Sequence, residues 1–91
     1  MKNQELNTIN YPNPFSDIVT IEFENQNSQY EFYMVEIYNQ FGSKVVDIEV
    51  QSYNSQIKLN LNNILPGMYI IRLVPHDVSH KTIILKAIKV R

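Results

Sequence analysis

Asn10-Tyr11-Pro12-Asn13-Pro14-Phe15-Ser16-Asp17, running into Ile18-Val19-Thr20-Ile21-Glu22-Phe23-Glu24, is the stretch that settles how this chain folds. Two prolines in alternation hold φ near about −65° and remove two backbone donors, which excludes a helix and a central strand. Tyr11 and Asn13 each precede a proline and are pushed toward extended conformations. Asn13, Ser16 and Asp17 can bond their own backbone and close a turn. With an aromatic ring at each end, Tyr11 and Phe15, the segment reads as a stiff plug over one end of a β-domain. The residues after it alternate, with Val19, Ile21 and Phe23 on one face and Thr20, Glu22 and Glu24 on the other. That is a half-buried strand facing one side of a sandwich.

Upstream, Leu6 and Ile9 supply a short first strand, and Met1 to Glu5 reads as frayed linker. This N-terminus lacks the apolar core of a signal peptide. An exported form would therefore carry its signal further upstream in a longer parent. The expected division is a linker over 1–5 and one domain over 6–91. Downstream, Asn25 to Gln29 is a polar loop. Tyr30 to Asn39 follows as a strand apolar on both faces, Tyr33, Val35 and Ile37 on one and Phe32, Met34 and Tyr38 on the other. The second face is either covered by neighbours or a contact surface. Asn39-Gln40-Phe41-Gly42 turns the chain, with Gly42 where a positive φ is free of Cβ strain.

Lys44 to Val50 resumes the alternation, Val46, Ile48 and Val50 inward. After a loop at 51–55, Ile57, Leu59 and Leu61 alternate with Lys58, Asn60 and Asn62. Leu65-Pro66-Gly67-Met68-Tyr69 then breaks and restarts the chain. Its order resembles a tyrosine corner, in which Tyr69 at the head of a strand returns its hydroxyl to backbone upstream. Met68 to Val74 is the next strand, Pro75 to Ser79 a hairpin loop, and His80 to Arg91 the last strand. That strand is apolar on both faces and punctuated by Lys81, Lys86, Lys89 and Arg91. About seven short strands roughly every 10 to 15 residues, with turn chemistry between them, predict an all-β, immunoglobulin-like sandwich of antiparallel strands.

Composition narrows the function. The chain has 91 residues, 44% hydrophobic, which is enough for one core. A net charge of −1 and few charges argue against a nucleic-acid face. There is no cysteine, hence no disulfide framework and no thiolate metal site. No apolar run approaches the ~20 residues of a membrane helix. His76, Asp77 and His80 share a loop, but two loop imidazoles and a carboxylate do not make a closed metal site. With only two glycines there is no phosphate cradle, and no nucleophile elbow is present. No enzyme, cofactor or metal is expected. The six tyrosines allow a sugar-binding alternative, with Tyr30, Phe32, Tyr38 and Tyr53 stacking on rings, although sheets favour aromatics anyway.

Four blocks in order resemble the C-terminal sorting domain of the type IX secretion system, type A. They are Tyr11-Pro12-Asn13-Pro14, then Val19-Thr20-Ile21-Glu22-Phe23, then Val35-Glu36-Ile37-Tyr38-Asn39 leading to Gly42. The fourth is Leu61 with Leu65-Pro66-Gly67-Met68-Tyr69-Ile70-Ile71-Arg72. The third is similar to the family's Ile-Tyr-Asn-x-x-Gly and the fourth to its Leu-x-x-Gly-x-Tyr-x-x-Arg/Lys. A basic, aliphatic tail from Lys86 to Arg91 follows. The chain departs from the family at Gln40-Phe41-Gly42-Ser43, where Gly-Gln or Gly-Lys is frequent, and in carrying a single Lys where the tail often has a pair.

The resemblance implies an address rather than an activity. It implies a cargo domain fused upstream and passage through the periplasm. It also implies recognition by shuttle components and the outer-membrane translocon, and removal by a cysteine-peptidase-type sortase at the surface. Under it, Tyr11, Pro12, Asn13, Pro14, Gly42, Gly67, Tyr69, Lys86, Lys89 and Arg91 are the candidate recognition residues. The apolar last strand suits pairing at a sheet edge, with a partner or with a second copy as a dimer, and its cations suit an acidic groove. The alternative is a fibronectin-like adhesion or carbohydrate-binding sandwich.

Overall fold

A computed structural model describes residues 8–12, 14–23, 32–51, 56–76 and 81–90, with backbone alone for Thr8, Ile9, Phe23 and Phe32. The expected linker over 1–5, Leu6, Asn13, the polar loop at 25–29, Tyr30, Tyr53, Asp77, His80 and Arg91 lie outside the described residues. Among the described residues there are seven strands and no helix: β1 (Thr8–Tyr11), β2 (Ile18–Phe23), β3 (Phe32–Asn39), β4 (Lys44–Gln51), β5 (Gln56–Asn60), β6 (Gly67–Pro75) and β7 (Ile83–Lys89).

The strands form two antiparallel sheets, ordered β1-β2-β5 and β4-β3-β6-β7. The chain crosses between sheets after β2, after β4 and after β5, which gives the immunoglobulin-like sandwich expected from the alternation. Inward residues of both sheets make one core. Val19 and Ile21 of β2, Ile57 and Leu59 of β5, and Leu61 meet Tyr33, Val35 and Ile37 of β3, Tyr69, Ile71 and Leu73 of β6, and Ala87 of β7. Burying an aliphatic or aromatic side chain of this kind contributes about 1.5–3 kcal/mol, so this row of contacts is what holds the two sheets together.

Several expectations are corrected. Asn10 and Tyr11 belong to β1, an edge strand that runs up to Pro12 across a cis Tyr11–Pro12 bond. Tyr11 is 39% exposed, so only Phe15 of the two aromatics plugs the domain. The last strand starts at Ile83 rather than at His80. Ile48, expected inward, is 46% exposed. It shares a face with Val35, its partner across the ladder, but β4 is the outer strand of a four-stranded sheet packed on a three-stranded one. The smaller sheet leaves part of β4 uncovered. Thr20, expected on the watery face of β2, is buried, flanked in register by Tyr11 and Lys58.

Candidate recognition site

Phe15 is 1% exposed, inside the core, although it lies between strands. Its backbone takes a strand's place beside β7, through a parallel bridge to Lys89. The Phe15 amide donates to the Ile88 carbonyl at 2.9 Å, and the Val90 amide donates to the Phe15 carbonyl at 2.7 Å. Asn10 Nδ2 donates to the Lys86 carbonyl at 3.0 Å. On the far side of the turn, the Leu61 amide donates to the Asp17 carbonyl at 2.7 Å. The segment after β1 thus covers the outer edge of the terminal strand and ties it to the smaller sheet. Proline favours this arrangement, because an edge segment needs fewer donors than a central strand.

The tail residues separate by face. Ile83, Leu85, Ala87 and Lys89 point inward, and Ile84, Lys86 and Ile88 outward. Lys89, directly across from Gly67, is only 6% exposed. Its Nζ donates to the Ser16 carbonyl and stands 5.9 Å from the Phe15 ring centroid. The charge therefore rests on a carbonyl and an aromatic face. Lys86 lies on the exposed face, opposite Ile70. Around it Met68, Ile70, Ile84 and Ile88 are exposed, a patch of aliphatic side chains on adjoining strands.

Gly42 and Gly67 have structural placements. Gly42 has φ 86°, and a Cβ there would meet nothing within 4 Å, so glycine is needed for the backbone angle alone. Asn39 organises the same turn, a role the sequence reading missed. Its Oδ1 accepts from the amides of Phe41 at 2.9 Å and Ser43 at 3.0 Å, while the Gly42 amide donates to the Asn39 carbonyl at 3.0 Å. Asn followed three residues later by Gly is the available signal. Gly67, φ 155°, opens β6 two residues before Tyr69. The Tyr69 hydroxyl donates to the Leu65 carbonyl at 2.5 Å, the expected tyrosine corner.

Across the outer face of the larger sheet runs a charged row. Glu36 Oε1 accepts from Arg72 Nη1 at 2.8 Å and from the Tyr38 hydroxyl at 3.2 Å, and Glu36 Oε2 lies 3.7 Å from Lys44 Nζ. The Arg72 hydrogen bond, aided by Tyr38 and Lys44, holds the Glu36 carboxyl below the ordinary 4.5 against the opposing effect of burial. Lys44 is raised, first by its hydrogen bond to Asp47 at 3.3 Å. These partners also answer what covers the second face of β3, since Met34 and Tyr38 are half-buried beside them. His76 Nε2 lies 3.0 Å from Glu49 Oε2. Among the described residues no three His, Asp or Glu side chains gather as a metal site would require.

The structure brings Pro14, Lys86, Lys89 and Gly67 to one end and edge of the sandwich, whereas Gly42 lies in the β3–β4 turn. Neither the curated proteins nor the solved structures provide a match to this chain. A family described as the secretion system C-terminal sorting domain matches residues 10–86, from the Pro-Asn-Pro-Phe segment into the terminal strand. That match supports the sorting reading and lends nothing to adhesion or sugar binding. The family is one of sorting signals, not of enzymes, and it implies export to the cell surface or exterior, a cargo fused upstream and contact with the secretion machinery. The chain belongs to the secretion system C-terminal sorting domains and acts as a C-terminal sorting signal of type IX secretion.

Proposed function

We propose that residues 6–91 are a type A sorting domain read chiefly through its terminal strand. The cargo is carried into the periplasm, passed by shuttle components to the outer-membrane translocon, and freed at the surface by a cysteine-peptidase-type sortase. The observation that carries this reading is the cluster of Met68, Ile70, Ile84 and Ile88 exposed around Lys86 on β6 and β7. An apolar patch that holds Lys86 and is bordered by Arg72, which Glu36 pairs, suits a partner surface that is apolar and acidic. Lys86, with Arg91 beyond it, is the contact residue in this reading. Lys89 contributes by fixing the strand. Tyr11, Pro12, Pro14, Gly42, Gly67 and Tyr69 contribute through the shape they build, and Asn13 is a recognition residue by the motif it belongs to. Pairing of two copies by their strands remains part of the proposal.

Fusion of the chain to a periplasmic reporter tests the reading in cells that carry the type IX machinery. The reporter is expected outside. Ile84→Thr with Lys86→Gln, both outward-facing, is expected to leave the domain folded by circular dichroism and the reporter inside. Export of the unaltered fusion no greater than that of the bare reporter would overturn sorting. Full export of the double variant would overturn the β6–β7 face as the address.

A further inference from the structure

The backbone of Phe15 occupies the seat that an added strand would take. It runs parallel to β7 and bonds the Ile88 carbonyl and the Val90 amide in the manner of β-augmentation. The cover is anchored on both sides, by Asn10 on the Lys86 carbonyl and by Lys89 on the Ser16 carbonyl. Exposed strand edges are templates for pairing, and proteins cover them. Here the cover is a segment from the other end of the chain, next to β1, on the side from which an upstream cargo would arrive.

Resting on the sorting reading above, we infer that Phe15 and Ser16, with Asn10, form a removable cover, and that a strand of the secretion machinery takes the place of Phe15 on the β7 edge. The incoming segment is defined by what it meets. On the outer face Ile84, Lys86 and Ile88 stand at alternate positions, exposed. Cross-strand neighbours share a face, so the fitting strand carries a carboxylate between two apolar residues at alternate positions. The outer-face side chains are exposed throughout, whereas the backbone edge of β7 is closed while the cover is seated and open to pairing when it lifts.

A disulfide that locks the cover tests this, since the chain has no cysteine of its own. Ser16 and Val90 are both exposed and lie one residue beyond the bridged pair Phe15 and Lys89. Neighbouring strands run about 4.8 Å apart, within disulfide reach. Ser16→Cys with Val90→Cys, fused to the reporter, is expected to stay inside the cell when oxidised and to leave it once reductant is added. Each single-cysteine fusion is expected to leave in both conditions. Equal export of the oxidised and reduced double variant would overturn the cover. Asn10→Ala removes one anchor and is expected to speed export. If the reduced double variant itself stays inside, this arm decides, unchanged or slower export overturning the inference. Failure of the cysteine-free fusion to leave would instead count against the sorting reading.

Discussion

Replacing Tyr69 by Phe removes one oxygen and leaves the Leu65 carbonyl without its 2.5 Å donor. The expected loss is about 0.5–1.5 kcal/mol, the net worth of one hydrogen bond, because Leu65 is exposed and water can reach its carbonyl. Urea melts read it as a lower midpoint at unchanged slope, and equal midpoints would refute the corner. A second residue-scale contrast lies in the tail. Lys89→Ala is expected to cost about 1–3 kcal/mol, because the Ser16 carbonyl loses its donor. Lys86→Gln, on the exposed face, is expected to stay within about 0.5 kcal/mol. Residues three apart on a strand face opposite ways, so Lys86 and Lys89, both recognition candidates in the sequence, cannot share one partner surface. What period two cannot give is which face is inward on a strand apolar on both sides, or that the Lys89 amine ends on Ser16. Changing Lys86, Lys89 and Arg91 together would therefore mix address with fold.

At the scale of elements, the Glu36 row stitches β4, β3 and β6 on the outer face of their sheet. Its folded-state pKa lies below the ordinary glutamate value of 4.5. The unfolded chain thus takes up the proton first as pH falls, and the stabilisation present above 4.5 is lost below it. Glu36→Gln is expected to flatten this acid limb of stability. Melts of both forms from neutral pH downward check it, and parallel curves would refute it. The alternation of β2, β3, β5 and β6 made the core faces readable, because both sheets bury those strands. It failed for Ile48, where the fate of an inward residue depends on how many strands the opposite sheet has. Strand order is not a local property of Lys44 to Gln51, so no reading of that segment could supply it.

For the whole molecule, cutting the chain before Ala87 is expected to abolish folding as well as export. Ala87 and Lys89 face the core, and the Val90 amide holds Phe15. Circular dichroism of the truncated chain is expected to lose the β signal, and retention of a native spectrum would show the tail to be an appendage. The sandwich was legible from turn chemistry and strand spacing, and the address from four motif blocks. The junction between Phe15 and β7 was not legible, because it joins positions more than seventy residues apart by backbone bonds that leave no pattern in side chains. That junction also has a mechanical meaning. Its two segments run parallel, so a pull on the chain before Phe15 and a pull on the tail beyond Val90 act along them in opposite senses. Both bonds are then loaded in shear at the same moment instead of opening one after the other. A sorting domain hauled by its last strand while its cargo drags behind would hold its shape under that tension and yield only to a force that peels Phe15 sideways. A single-molecule pulling experiment would read the difference as a high rupture force end to end and a low one across the edge.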